Sequence, residues 1–174
     1  MRKATGFTTI EALVVVAIVA ILVAIAAPNF RLFMLNSRIR AYSESTSYAL
    51  ALARADAARL NTRVEYVAMT SGWVVRRTDT AEVLHSGTGK ESVQSGLTVT
   101  YEPTDARTVT FDAFGRRTTN QDGSQPATQI DITATSESGT GNNTYHPLRV
   151  QVLASGLTRL CDPSLASTDS RACL

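Results

Sequence analysis

Glu11 sits near the head of "KATGFTTIEALVVVAIVAILVAIAAPNF" (residues 3–30), and after it no charge occurs until Arg31. A carboxylate in the middle of a bilayer costs a few kcal/mol on insertion scales and more in simulations, so an acid in such a setting is functional by default. It becomes tolerable when a cation neutralises it or when it snorkels to the headgroups. A second reactive pair, Cys161 and Cys173, lies close together at the C-terminus, where a small disulfide loop suits an oxidising, export-facing compartment. A zinc site would need further ligands nearby, and His85 and His146 are far off in sequence. Neither histidine has an acid or nucleophile at a recognisable spacing, and no Ser-His-Asp set, phosphate loop or metal cluster is discernible. No enzyme, no metal and no cofactor are expected. Basic side chains gather in "FGRRTT" (Arg116, Arg117) and "GLTRLC" (Arg159), with Arg149 and Arg107 on nearby strands. Such arginines either meet phosphate without regard to base sequence, or solvate the outer face of a sheet and contact acidic neighbours.

These residues are carried by a chain of 174, which bounds the answer to one domain of ordinary size beside the hydrophobic N-terminal segment. The net charge of +2 is too small to announce a nucleic-acid binder. Every residue from Ala12 to Ala27 is apolar, and from Phe7 the stretch runs about 21 residues, ~31 Å as a helix, enough to span a bilayer. Arg2 and Lys3 before it place the N-terminus in the cytoplasm and the bulk of the chain outside. A cleavable signal peptide ending near "AIAAP" is the plain alternative, but the apolar run is longer than a usual signal core and the helical pattern continues past Pro28.

Beyond Pro28, apolar Phe30, Phe33, Met34, Ile39, Tyr42, Ala49, Leu50, Leu52, Ala53, Ala57 and Leu60 recur at helical spacing, and Asn61-Thr62 reads as a stop. Phe7 to Leu60 is then expected to form a rod of about 54 residues, ~80 Å long, kinked or locally melted at Pro28. After Asn61 the period changes. "RVEYVAM", "WVVRR", "AEVLHS", "LTVTYE", "TVTFDAFG", "TQIDITAT" and "LRVQVLASG" are short, β-branched and separated by turn-forming clusters. They predict an antiparallel meander of roughly six or seven strands with one face on the helix, an α+β plan. Trp73 is expected as a core anchor between sheet and helix, Phe111 and Phe114 as packing residues and Gly115 as a turn.

"TGFTTIEALVVVAIVAILVAIAAPNF" resembles the N-terminus of type IV pilins and of the pseudopilins of type II secretion. Their pattern is a short basic leader ending in Gly, then Phe-Thr, a Glu four residues after the Phe, an apolar helix and a Pro. Thr9 and Ala12 stand where Leu is common in that pattern. The resemblance implies a pilin fold, a long N-terminal helix packed on an antiparallel sheet head. It implies cleavage between Gly6 and Phe7 by a prepilin peptidase, N-methylation of Phe7, and an assembly role for Glu11 against the Phe7 amine of a neighbouring subunit. The expected organisation is a leader over 1–6, a transmembrane and assembly helix over 7–28, an amphipathic half over 29–61 and a β-rich head over 62–174.

"SGWVVR", "VTFDAFGRRT" and "LRVQVLASGLTRLCDP" resemble, more loosely, the head of minor pilins and pseudopilins of the FimT, FimU and GspH class. The C-terminal "CDPSLASTDSRAC" favours the type IV minor pilin side of that class. Its DNA-binding members carry Gly-Arg-x-Arg near the C-terminus, and here Gly156-Leu157-Thr158-Arg159 keeps only the Gly and the last Arg. The resemblance therefore implies a minor pilin of a tip or priming complex, serving pilus assembly and with it adhesion or twitching motility. Its partners would be other minor pilins, major pilin subunits and the prepilin peptidase. It would lie in the inner membrane with its head in the periplasm before entering a cell-surface pilus. A type II secretion pseudopilin and a DNA receptor for transformation are the alternatives.

Overall fold

The structure is a computed structural model. It describes residues 8–88, 96–135 and 145–173, without the side chains of residues 25–29, 31 and 88. Helix α1 covers Thr9–Leu60 and belongs to two units, Met1–Met34 and Leu35–Leu174, taken here one at a time.

In the first unit the helix begins at a cap. The Thr8 hydroxyl accepts from the Glu11 N–H (3.3 Å) and the Thr8 carbonyl from the Ala12 N–H (3.2 Å). The second is the first bond of the helix ladder, and the first satisfies one of the orphan donors of a helix start; Thr-x-x-Glu is the sequence pattern of a capping box. The side chains that follow, from Ile10 (70 % exposed) through Val14 (48 %) to Val23 (60 %), are all uncovered. Helical backbone runs on through Pro28, so the proline does not melt the helix as expected. Among the described residues no helix is long and apolar enough to cross a membrane. The span expected over 7–28 falls partly on Phe7 and on side chains outside the described residues.

In the second unit the helix buries Leu35, Ile39, Tyr42, Ala49, Leu50, Ala53 and Ala57, one stripe at three- and four-residue spacing. Ser43 and Thr46 are buried with them, and the Ser43 hydroxyl donates back to the Ile39 carbonyl (2.8 Å). Phe30, Phe33 and Met34, expected to continue this helical pattern, belong to the first unit and are exposed there. The helix stops where expected: Asn61 adopts φ 49° and the Thr62 N–H reaches the Ala57 carbonyl (3.2 Å), the bond that closes a left-handed helix end.

The strands are β1 (Val64–Met69), β2 (Gly72–Arg77), β3 (Val83–Thr88), β4 (Leu97–Glu102), β5 (Thr108–Phe111), β6 (Arg117–Thr118), β7 (Gln129–Ala134), β8 (Leu148–Val152) and β9 (Thr158–Cys161). They form not one meander but two antiparallel sheets, ordered β3-β2-β1-β5-β6 and β4-β7-β8-β9. The departure lies at β4, which pairs with β7 from Leu97↔Ala134 to Glu102↔Gln129 and with neither of its sequence neighbours. Alternation shows that a segment is a strand, but partner choice is set by long-range burial. The "LASG" end of the segment "LRVQVLASG", expected in one strand, lies beyond β8 and forms the turn of a hairpin to β9. Gly156 at φ 79° turns the chain, and Leu153 and Leu157 close the turn (2.9 Å).

One core joins the helix stripe to the inner faces of both sheets through Val64, Tyr66, Val75, Val109 and Phe111 from the first and Ile130, Ile132, Val150 and Val152 from the second. Trp73 lies at the rim of that core. Its indole covers Gly87, its cross-strand partner, so closely that a Cβ at Gly87 has no room, and its Nε1 donates to Ser45 on the helix (2.9 Å). Phe111 is buried as expected, but Phe114 is 79 % exposed. The Asp112 side chain captures the N–H groups of Phe114 and Arg116 (both 2.9 Å), and the turn that results, with Gly115 at φ 72°, carries Phe114 outward.

The histidine reading also changes. His85 Nε2 lies 2.8 Å from Asp56 Oδ2, with Arg59 on the other oxygen (2.9 Å), tying edge strand β3 to the helix. The acid is 29 residues away in sequence, which no spacing rule reads. Because Trp73 needs the bare backbone of Gly87, Gly87→Ala should cost about 1–3 kcal/mol in urea unfolding. A red-shifted tryptophan emission in the folded variant would accompany it, and unchanged stability and emission would refute the packing account.

Candidate functional site

The residues singled out for processing, Gly6 and Phe7, lie outside the described residues. Glu11 is described. It is the acid of the first helical turn, where the N–H groups and the positive end of the helix dipole favour an anion. Its backbone N–H is the one Thr8 caps (3.3 Å). The position of the acid at the head of the apolar run thus has a local cause in the helix start itself. The Thr8-x-x-Glu11 spacing is a signal that sequence reasoning, which singled Glu11 out by its isolation in an apolar run, did not use.

The four arginines are not gathered into a free basic patch. Each is committed to a partner within the chain. Arg149 on β8 faces its register partner Asp131 on β7, with Nε at 2.6 Å and Nη2 at 2.9 Å from the two carboxylate oxygens. This bidentate geometry is the strongest form of the pair, and the Asp131 hydrogen bond raises the Arg149 pKa further. Arg116 pairs with Asp112 (2.9 Å) and lies over the Phe114 ring at 5.3 Å. Arg117 on β6 donates to the carbonyl of Val152 on β8 (2.7 Å), a link from one sheet to the other, and burial lowers its pKa. Arg159 on β9 donates to the Ala172 carbonyl (3.1 Å). Two of the four charges are therefore neutralised by aspartates, and two are spent on carbonyls.

That last bond reaches the C-terminal loop. Cys161, the end of β9, is disulfide-bonded to Cys173, as the spacing and compartment argument expected. The enclosed segment is ordered by its own bonds: Asp162 N–H to the Arg171 carbonyl (2.8 Å), a bridge between Asp162 and Ala172, and Ser164 N–H to Asp162 Oδ1 (2.9 Å). With Arg159 it forms a compact, internally bonded element at the edge of the second sheet. Among the described residues no group of three or more acids, histidines or cysteines is placed to hold a metal.

Sequence reasoning missed the partners more than the arginines. Asp112 is legible four residues before Arg116, whereas Asp131 and Arg149 meet only because β7 and β8 pair. It also missed Arg54, whose Nε donates to the Gly115 carbonyl (3.1 Å).

The loop and the Asp112 turn each yield a test. Replacing both cysteines by serine opens a loop worth roughly 3 kcal/mol in the chain-entropy model, which urea unfolding of the full chain should read as a loss of that size. Burial acts to raise the Asp112 pKa, but hydrogen bonds from the Arg116 N–H, the Arg116 side chain and the Phe114 N–H outweigh it and hold the carboxyl below its ordinary value. A depressed folded pKa contributes stability that is present above the unfolded value of about 4 and is lost as pH falls through the folded one. Asp112→Asn should therefore flatten the acid limb of the stability–pH curve, and an unchanged limb would show that the turn does not couple to unfolding.

No family model matches this chain, and no curated protein matches it. Solved structures do. Two crystal structures of the type IV minor pilin FimU of Pseudomonas aeruginosa strain PAO1 are similar to it. One covers 79 % of this chain and 98 % of its own at 15 % identity with a TM-score of 0.55, and the other covers 75 % and 98 % at 16 % identity with a TM-score of 0.50. The fold expected from the N-terminal and head resemblances, a long helix packed on antiparallel sheets, is thus the fold of a type IV minor pilin.

Proposed function

We propose that this chain is a structural subunit of a type IV pilus, a minor pilin that docks other pilins in a tip or priming complex. One observation carries the reading. A head of minor pilin fold belongs to a chain whose helix opens on a single capped carboxylate, Glu11, and then exposes apolar side chains from Ile10 to Val23. Apolar surface on that scale marks a membrane or a protein interface. In this reading the prepilin peptidase cuts between Gly6 and Phe7, Phe7 is N-methylated, and the apolar helix holds the subunit in the inner membrane with its head in the periplasm until assembly. The Phe7 amine of one subunit then neutralises Glu11 of the next and sets their axial register. The disulfide-closed C-terminal loop favours the pilus over a type II secretion machine. Binding of DNA draws on no comparable observation, since Arg116 and Arg149 are already paired with aspartates.

Intact mass spectrometry of the membrane-extracted protein, with and without the peptidase, tests the processing step. A mass beginning at methylated Phe7 is expected, and a cut near Ala27 would replace the assembly reading with that of a secreted β-rich domain. Removing one partner of a buried ion pair costs about 3–5 kcal/mol, so Glu11→Ala should insert in the membrane yet vanish from sheared filaments. Wild-type abundance of the variant in that fraction would end the pairing claim.

A further inference from the structure

Among the described residues the two sheets end in four edge strands, β3, β6, β4 and β9. Three of them are blunted. β6 is two residues long, β3 meets β2 with a register shift between Val75 and Arg76, and the C-terminal ring pairs alongside the end of β9 through Asp162 and Ala172. Short strands, bulges and covering segments are the devices by which sheets close an edge. β4 has none of them: its six residues pair with β7 in one unbroken register. Bonds in an antiparallel ladder alternate along the strand, so one known bond fixes which residues face the partner. The Thr135 N–H reaches the Gly96 carbonyl (2.8 Å), and the Thr128 N–H reaches the Glu102 carbonyl (2.7 Å). In this phase Thr98, Thr100 and Glu102 bond to β7, whereas Leu97, Val99 and Tyr101 turn their N–H and C=O groups to the open side. Among the described residues no backbone partner meets them there.

The successive residues Val99 to Glu102 also line a cavity of about 420 Å³, so both faces of the strand contribute to its wall. Three carboxylates line it, Glu102, Asp105 and Asp131, against two guanidinium groups, Arg107 and Arg149, which leaves it acidic by one charge. Asp131 and Arg149 hold each other, while Glu102 and Asp105 have no ion pair among the described residues. Unpaired N–H and C=O groups at regular spacing are the template for one more extended chain. Its side chains facing Leu97, Val99 and Tyr101 would lie at the core margin and should be apolar, and those facing Thr98 and Thr100 suit threonine. The one facing Glu102, with Asp105 nearby, should be basic. This chain does not supply such a strand from a second copy. Its own β4, set with Val99 against Val99, would bring Gly96 opposite Glu102, and β3, the other edge of that length, carries no lysine or arginine.

We propose that the open edge of β4 takes up an extended segment of another protein as an antiparallel strand, apolar at alternate positions and basic at the end beside Glu102 and Asp105. The inference stands apart from the filament reading. The probe is the peptide acetyl-Lys-Val-Thr-Val-Thr-Val-amide, titrated into the full chain in detergent while hydrogen exchange is read at single residues. Saturating peptide should slow the Val99 and Tyr101 amides by about tenfold or more. Methylating the valine nitrogens of the peptide removes the donors it offers to β4 and should abolish that protection, and glutamate in place of its lysine should weaken it. Val99→Pro deletes one outward N–H without touching the bonds to β7, a place where edge strands accept proline, so the variant should fold yet bind the peptide about tenfold more weakly. The assignment falls if saturating peptide leaves the two amides unprotected, or if the methylated peptide protects them equally. It also falls if they are already slow in the chain alone, which would mean an edge covered from within. Protection that grows with the concentration of the chain and not with peptide would give the edge to a second copy instead.

Discussion

Both sheets of the head must bury their inner faces on the same narrow stripe of helix, and most of the structure follows from that constraint. An open sheet of a few strands needs a second layer, and here one helix supplies it twice. The stripe is built largely of small residues, Ala49, Ala53 and Ala57, with Ile39, Tyr42 and Leu50 interspersed. Small side chains let the sheets approach closely, and the large apolar volume is supplied from the sheet side by Tyr66, Phe111, Ile130 and Ile132. A bulkier helix face would push the two sheets apart.

The polar groups are arranged so that this arrangement has one register. His85 with Asp56 and Trp73 with Ser45 tie the first sheet to the helix, while Arg117 and the Val152 carbonyl tie it to the second. Each such bond contributes little on balance, but leaving the buried Asp56 carboxylate or Val152 carbonyl unsatisfied is costly, so packings that break those bonds are penalised more than the native one is rewarded. Arg149 and Asp131 do the same within the second sheet, where a slip by one residue would part them. The arginines that composition offers for binding are, in the fold, largely its fasteners.

Much of this was legible in the sequence, and the limits are physical. The helix stripe from Ile39 to Ala57 and its stop at Asn61 could be read because spacing and capping are local. The strand segments could be read because alternation is local too. What depended on distant partners could not: that β4 leaves its neighbours for β7, that His85 finds Asp56, that Arg149 finds Asp131. Phe114 misled because aromatic residues usually bury, and the side chain that sends it outward, Asp112, acts through backbone hydrogen bonds that hydrophobic patterning does not register. Of the candidate site, Glu11 and the two cysteines were legible from their isolation and their proximity, whereas the bonds of Arg117 and Arg159 to the Val152 and Ala172 carbonyls exist only in the fold.

The bond between Cys161 and Cys173 makes the chain's last segment a closed ring rather than a tail. One anchor is the final residue of β9, itself held in the sheet opposite Arg149. A peptide bond broken inside the ring therefore frees no fragment. Both cut ends stay tethered to the sheet, and a second cut or a reductant is needed to complete what the first began. The C-terminal segment is thus one that cannot be trimmed away by a single cut.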